Sequence, residues 1–163
     1  MTLATHIVIA AAVTKKITLA HPLIGFCVAI ASHYFSDAIP HWDYALGATQ
    51  DPEDIKKRHW SADRTLLWRD LRHVTTDALL GTAVVLLVIR PASTAQWLWA
   101  ILAIIGGALP DFLQGLYMSG ARFLLPLQRF HDRMHAKIRL AAYPLIGIPF
   151  QVLIFLLSLA VLA

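Results

Sequence analysis

Apolar residues dominate five stretches of this chain, separated by short polar or proline-containing segments. The first runs from Leu3 to Thr14 and reaches about 17 residues if Ile17–Ala20 continue it across Lys15 and Lys16, close to the minimum for a membrane span. The other four stretches are residues 22–39, 61–89, 97–118 and 140–163. Apolar runs of this kind are typical of membrane helices. The pattern predicts an all-α fold: an integral membrane helical bundle of about five helical segments.

Prolines mark several predicted helix ends. His21-Pro22 places a proline at a first helical position, which suits a helix start. Pro40 should end the second helix near Ile39, because proline lacks an N–H and disfavours α geometry in the residue before it. Arg90 and Pro91 are predicted to end the third helix in the same way.

Composition and charge support a membrane protein. The chain is 58% hydrophobic with a mean hydropathy of +0.61, which is too apolar for an ordinary soluble domain of 163 residues, so residues 1–163 are predicted to form a single membrane-embedded domain. If the segments alternate in direction, 11 of the 14 Lys and Arg residues fall on the side that holds residues 40–72 and 119–139. Positive residues favour the cytoplasmic side, so this side is predicted to be cytoplasmic and the membrane to be the inner, cytoplasmic one. The single cysteine, Cys27, excludes a disulfide framework and a cysteine-based zinc site.

Histidines and aspartates recur at spacings suited to metal binding. His33 and Asp37 are four residues apart, on one face of the second predicted helix, and His41 and Asp43 follow in the turn after Pro40. The same spacing recurs in His73 and Asp77, and a related one in His131 and His135. All these residues fall at the cytoplasmic ends of their predicted segments. They define one predicted layer of candidate ligands: His6, His33, Asp37, His41, Asp43, His73, Asp77, Asp111, His131 and His135.

Other roles are open for individual members of this layer. His6 could be a hydrogen-bonded polar residue, and Asp111 could simply end a helix after Pro110. His131 and His135 could belong to a solvated basic face, and each His-x3-Asp pair could be a buried hydrogen bond. Ionisable groups inside membrane helices are costly and usually functional, so the repeated pairs favour metal binding. The aromatic residues near the segment ends are predicted to lie at the membrane interface: Tyr34, Trp42, Tyr44, Trp97 and Trp99.

Histidine with aspartate and no cysteine suits zinc, with manganese or iron as alternatives, in a hydrolytic catalyst. Ten candidate ligands exceed the needs of one ion, so two or three divalent metal ions are predicted, and a two-metal site suits displacement at phosphorus. The chain has a single glutamate, Glu53, which argues against a ferritin-like di-iron carboxylate centre.

A family resemblance rests on these residues. His6, the His33-x3-Asp37-x3-His41 cluster, the His73-x3-Asp77 pair and the late Leu-Pro-Asp111 resemble the bacterial inner-membrane metal-dependent hydrolases that include the LexA-binding membrane hydrolase family. That group is distantly similar to zinc-dependent phospholipase C. The resemblance implies an all-α bundle with a multi-metal centre that hydrolyses phosphoester bonds. The chain departs from the phospholipase pattern, which has a His-x3-Glu pair and an N-terminal tryptophan.

The expected function is hydrolysis of a phosphoester, on a lipid or lipid-linked substrate, at the cytoplasmic face of the bilayer; no nucleic acid partner is expected. Asp43 and Asp111 are predicted to act as catalytic carboxylates, with Asp111 also a metal ligand, and Arg129 and Arg133 to bind the substrate phosphate. Two alternatives stay open. A histidine-rich di-iron oxidoreductase is disfavoured because the chain has no His-x2-His-His box, and a metal transporter because its ligands would lie at mid-membrane depth.

Overall fold

The computed structural model describes residues 1–50, 52, 54–138 and 140–163. Glu53 and Arg139, which entered the ligand and charge arguments, lie outside the described residues. Within them the chain is almost entirely helical, which confirms the all-α prediction. The six α-helices are α1 (Leu3–Ala20), α2 (Pro22–Asp37), α3 (Arg64–Ile89), α4 (Thr94–Met118), α5 (Leu125–Met134) and α6 (Pro144–Leu162). The shorter elements are a ribbon of two antiparallel strands, β1 (Thr49–Gln50) and β2 (His59–Trp60), and 3₁₀ turns at Ile55–Lys57, Arg122–Leu124 and Leu140–Ala142.

Each of the five predicted segments contains one helix, and local signals explain the boundaries. Pro22 and Pro144 open α2 and α6, where their missing N–H groups cost nothing. The Asp63 side chain caps α3 by accepting from the N–H groups of Thr65 and Leu66. The sixth helix, α5, lies within residues 119–139, for which no helix was predicted.

The most enclosed helix is α1, which packs against α2, α3, α4 and α6. Small residues on its neighbours make this packing close. A Cβ added to Gly81 of α3 would lie 2.6 Å from the Cα of Ala4, and one added to Gly107 of α4 would lie 2.9 Å from the carbonyl oxygen of His6. Larger residues at either glycine would therefore push α1 away from its neighbours. The first predicted segment is one continuous helix, in spite of the two lysines that interrupt its apolar run.

In the described part of the chain, four helices are long and apolar enough to cross a membrane: α1, α3, α4 and α6. The α2 helix has 16 residues, so it is shorter than these four. The apolar side chains of α3 and α6 are largely exposed, as expected if lipid covers them. Length and composition thus support a helical membrane protein, in which α2 is the shortest of the five predicted segments.

Two loop regions meet at one end of the bundle. Arg122 donates to the carbonyl oxygen of Arg58 at 2.9 Å, and the Tyr117 hydroxyl donates to the carbonyl oxygen of Ile55 at 2.8 Å. At the opposite end, Lys15 Nζ donates to the carbonyl oxygen of Leu162 at 3.0 Å. Residues 40–60 and 119–135 therefore share one end of the molecule, the arrangement that alternating segments predict.

Candidate metal centre

A single carboxylate, Asp37 at the C-terminus of α2, lies at the centre of the histidine cluster. Its Oδ1 is 3.0 Å from His6 Nε2, and its Oδ2 is 3.2 Å from His33 Nε2 and 3.1 Å from His131 Nε2. His41 Nε2 lies 3.7 Å from Oδ1. The Asp37 side chain is only 2% exposed. Four imidazole rings from α1, α2, the following loop and α5 thus surround one buried carboxylate.

A second carboxylate, Asp111 of α4, completes one group of candidate ligands. Its Oδ1 lies 3.5 Å from His33 Nε2 and 3.8 Å from His131 Nε2, and its side chain is 30% exposed. Ligand atoms of His33, Asp37, Asp111 and His131 all lie within 4.8 Å of one another. This group combines two nitrogens with two carboxylate oxygens, a donor set that suits zinc, manganese or iron.

A second group adjoins the first and shares Asp37 with it. Ligand atoms of Asp37, His41 and His135 also lie within 4.8 Å of one another. The rings of His41 and His135 are 4.9 Å apart between centroids, and those of His131 and His135 are 6.1 Å apart. The two groups could hold two neighbouring ions joined by the Asp37 carboxylate.

Hydrogen bonds at Nδ1, the ring nitrogen opposite the Nε2 that faces Asp37, orient three of the histidines. His33 Nδ1 lies 2.8 Å from the carbonyl oxygen of Gly107, which can only accept, so this nitrogen carries the proton. His6 Nδ1 lies 3.0 Å from Ser36 Oγ, and that hydroxyl already donates to backbone carbonyls of α2. His41 Nδ1 lies 2.7 Å from the carbonyl oxygen of Ile39. Neutral rings held in this way present the Nε2 lone pair to the cluster, as metal-binding histidines do.

With Nδ1 protonated, the Nε2 atoms of His6 and His33 are hydrogen-bond acceptors, and they face the carboxylate oxygens of Asp37, which are also acceptors. Among the described residues, Nε2 of His6 and Nε2 of His33 make no hydrogen bond, although each lies next to an Asp37 oxygen. A buried polar atom without a partner is costly. Protonating the four rings that surround Asp37 would crowd positive charges around a buried group, which burial disfavours. A metal cation between these atoms removes both difficulties.

Distances within the first group fit a shared ion. Two ligand atoms that each lie about 2.1 Å from one tetrahedral ion are about 3.4 Å apart. The histidine-to-carboxylate distances in the group, from His33 and His131 to Asp37 and Asp111, run from 3.1 to 3.8 Å. The chain therefore holds these side chains at a separation that one divalent ion can bridge.

Local sequence explains this convergence. The four-residue spacing stacks His33 above Asp37 on one face of α2. Pro110 cannot donate to the carbonyl one turn earlier, so α4 is loosened where Asp111 follows. After α5, the N–H of Ala136 donates to the carbonyl oxygen of Asp37 at 2.8 Å and holds this segment against α2.

The second predicted pair, His73 and Asp77 of α3, lies outside both ligand groups. Asp77 Oδ2 accepts from the N–H groups of Leu3 at 2.6 Å and Ala4 at 3.2 Å, and so caps the N-terminus of α1. It also accepts from the Tyr44 hydroxyl at 3.3 Å. His73 is exposed and stacks on the Tyr44 ring, with centroids 4.2 Å apart. The contacts of this pair are those of a helix cap and a surface stack.

The predicted catalytic carboxylate Asp43 lies at the edge of the cluster. Its side chain is 41% exposed, and its Oδ1 accepts from the N–H of Tyr44. Partial burial raises the pKa of the Asp43 carboxyl to about 6. Burial and the neighbouring Asp77 carboxylate raise the pKa of the Tyr44 hydroxyl, which keeps it protonated as a donor. The backbone nitrogen of Met1 is 3.1 Å from Asp37 Oδ1 and 3.7 Å from Asp43 Oδ2.

The predicted phosphate-binding residues, Arg129 and Arg133, are exposed on α5. On this helix His131 is buried, and each arginine is two positions away from it, which places both on the far side of the helix. Neither therefore faces the candidate metal centre. The two histidines that the sequence analysis set aside, His21 and His59, are exposed and belong to neither ligand group.

Some residues around the centre were not predicted. Ser36 orients His6, and the Gly107 carbonyl orients His33. Of these two, only Ser36 has a sequence signal: it lies one turn after Ser32 on the helix that carries His33. Tyr34 was predicted at the membrane interface, yet its ring packs edge-on against His33 and His131, 5.7 Å from each. Trp99 was also predicted there, but it is 2% exposed and donates to Thr14 Oγ1 in the bundle interior.

No protein family, curated protein or solved structure matches this chain. The resemblance to the membrane hydrolases rests on the short motifs alone.

Proposed function

We propose that this chain is a membrane-embedded metal-dependent hydrolase that cleaves a phosphoester bond of a lipid or lipid-linked substrate. One observation carries the proposal: His33 Nε2 lies unpaired between two carboxylates, 3.2 Å from Asp37 and 3.5 Å from Asp111. A divalent cation among these atoms would pair His33 Nε2 with both carboxylates. Two ligand groups that share one carboxylate support a centre of at least two ions.

The residues divide between two ion positions. His33, Asp37, Asp111 and His131 would hold the first ion, and Asp37 would hold the second together with His41 and His135. Divalent ions held at these positions would supply an activated water and electrostatic stabilisation of the phosphoryl oxygens. His6 lies beside Asp37 and extends the nitrogen donors available to either position.

The exposed edge of the centre indicates where substrate and water would approach. Asp111 and Asp43 are the two carboxylates of the cluster with substantial exposure, at 30% and 41%. Asp43 belongs to neither ligand group, so it is free to accept a proton from the attacking water. Asp111 would be engaged in holding the ion in position.

The surroundings support a membrane-associated substrate. Four helices are long and apolar enough to span a bilayer, and the centre lies at their ends, beside loops rich in Lys and Arg. The positive-inside tendency supports a cytoplasmic orientation of this end, with the centre at the inner face of the cytoplasmic membrane. The motif resemblance to the inner-membrane hydrolases supports the same function.

Elemental analysis of the detergent-purified chain, combined with a panel of phospholipids and phosphomonoesters, tests the proposal. We expect at least two divalent ions per chain and a metal-dependent release of phosphate or diacylglycerol. Removal of the metal by a chelator should abolish hydrolysis, and zinc or manganese should restore it. A chain that binds no metal, or that binds metal but hydrolyses no member of the panel, would contradict the proposed function.

The two exposed carboxylates can be separated by substitution. Asp43→Asn should abolish most of the activity and keep the metal, because Asp43 is in neither ligand group. Asp111→Asn should lower metal content and activity together. Equal metal loss in both variants would show that Asp43 is also a ligand.

A further inference from the structure

The short helix α5 lies between two candidate membrane spans. The preceding helix, α4, ends at Met118 and the following helix, α6, begins at Pro144, so both chain ends of this connection lie at the same end of the bundle. With ten residues α5 is about 15 Å long and cannot cross a bilayer. If α4 and α6 span the membrane, as proposed above, α5 lies at its surface.

The side chains of α5 and of the turn before it form three separate stripes. The inner stripe is Gln128 and His131, both buried, and it faces the candidate metal centre. The apolar stripe has a spacing of four and then three residues, and its members are exposed: Phe123 at 82%, Leu127 at 44% and Phe130 at 44%. The basic stripe is Arg129 and Arg133, four residues apart and also exposed.

The basic stripe is not neutralised within the described part of the chain. Asp132, the acidic residue of α5, is bound by Arg58, with its two oxygens 2.8 and 2.7 Å from Arg58 Nη1. No ion pair joins Arg129 or Arg133 to any described residue. Their charges are therefore available to an anionic partner.

We propose that α5 lies in the plane of the membrane interface and binds anionic phospholipids. Phe123, Leu127 and Phe130 enter the acyl layer, and Arg129 and Arg133 bind lipid phosphates. An apolar stripe beside a basic one is the pattern of interfacial helices. Anionic lipids of the cytoplasmic leaflet are the partner that matches both stripes.

This placement ties the candidate metal centre to the bilayer. The ring of Phe130 on the apolar stripe packs edge-on against Tyr34, with centroids 4.8 Å apart, and Tyr34 contacts His131. The neighbouring residue, His131, lies 3.1 Å from Asp37. Lipid contact on the outer side of α5 therefore holds a candidate ligand in place on its inner side. It also gives Arg129 and Arg133 a role that does not require them to reach the centre.

Spin labels on the full-length chain can test this placement. In a Cys27→Ser background, single cysteines would be introduced by Phe130→Cys, Arg129→Cys, Ala62→Cys and Leu156→Cys and labelled with a nitroxide. The chain would be placed in vesicles of phosphatidylcholine alone or of equimolar phosphatidylcholine and phosphatidylglycerol. Collisions with oxygen and with water-soluble chromium oxalate then report the depth of each label.

The label at residue 130 is expected about 5–10 Å below the phosphate level, deeper than the label at residue 129, and the label at residue 62 in water. Phosphatidylglycerol should move the label at residue 130 deeper. Arg129→Gln with Arg133→Gln should remove this shift, and Arg64→Gln with Arg72→Gln, a matched pair of exposed arginines on α3, should not.

Three outcomes would overturn the inference or its basis. A label at residue 130 as accessible to chromium oxalate as the label at residue 62 would show that α5 stands in water. A deep label whose position does not depend on phosphatidylglycerol would rule out the proposed binding of anionic lipid by Arg129 and Arg133. A label at residue 156, in the middle of α6, that reads as aqueous would instead remove the membrane placement itself. None of these readouts depends on metal binding or hydrolysis.

Discussion

Two His-x3-Asp pairs with the same spacing have different surroundings in this molecule. His33 and Asp37 on α2 are buried between α1, α4 and α5, and four imidazole nitrogens surround Asp37. His73 and Asp77 lie on α3, where the histidine is exposed and the carboxylate accepts from two N–H groups of α1. Spacing places both members of a pair on one helix face, but the packing around that face decides what the pair can bind.

The largest expected effect comes from Asp37, which both ligand groups share. Asp37→Asn should remove the metal from both positions and abolish hydrolysis, because an amide is a poor ligand and adds a donor beside four histidines. Binding at 100 times the dissociation constant stabilises the folded state by about 2.7 kcal/mol, and this stabilisation would be lost. Elemental analysis and thermal unfolding with and without zinc measure both effects. Retention of one ion would show that Asp37 does not bridge the two positions.

The two histidines allow a direct comparison of the pairs. His33→Ala should weaken metal binding by more than about 100-fold, beyond the range typical of outer-shell partners, since it removes a nitrogen of the first group. His73→Ala should leave the metal affinity unchanged. Competition with a zinc-sensitive dye measures both variants under the same conditions. If both variants lost the metal equally, the second pair would belong to the same centre, as the sequence analysis predicted.

A smaller effect is expected from Ser36, which accepts the hydrogen bond that orients His6. Ser36→Ala should lower metal affinity by about 10–100-fold, as the loss of an outer-shell partner commonly does. The matched control is Ser32→Ala, one turn earlier on the same helix, whose hydroxyl donates to the Ala29 carbonyl and, among the described residues, makes no hydrogen bond to a histidine. An equal effect of both substitutions would indicate a general loosening of α2.

The smallest effect is expected for Asp77→Ala, which should keep the metal. Removal of the cap on α1 should lower the free energy of unfolding by about 0.5–2 kcal/mol. Asp63→Ala, which removes the cap of α3, is a control of similar chemistry away from the centre. Chemical unfolding in detergent measures both variants. Metal loss on substitution of Asp77 would contradict the capping role.

Much of the architecture could be predicted from local signals. The positions of Pro22, Pro40 and Pro91 matched helix boundaries within a few residues, because proline acts through its own covalent geometry. The α5 helix was missed since its ten residues carry four charged or imidazole side chains and only a short apolar stripe.

The candidate centre was only partly predictable. Seven of the ten candidate ligands come together: His6, His33, Asp37, His41, Asp111, His131 and His135. The partners of Asp77 are backbone N–H groups more than 70 residues away, and no local pattern identifies such a contact. The sequence could have predicted that Arg129 and Arg133 point away from the centre. Each is two residues from His131, and residues two apart on a helix point to nearly opposite sides.

The central position of α1 has a consequence for the order in which the molecule is made. This helix is synthesised before the helices that enclose it, and its contacts with α6 join residues up to about 150 positions apart along the chain, as between Lys15 and Leu162. Until those helices arrive, its polar residues Thr5, His6 and Thr14 would be exposed to lipid or held by the insertion machinery. The centre draws candidate ligands from α1 and from the end of α5, so it can be assembled only after His135 has been synthesised and α5 has packed against α2 and α4.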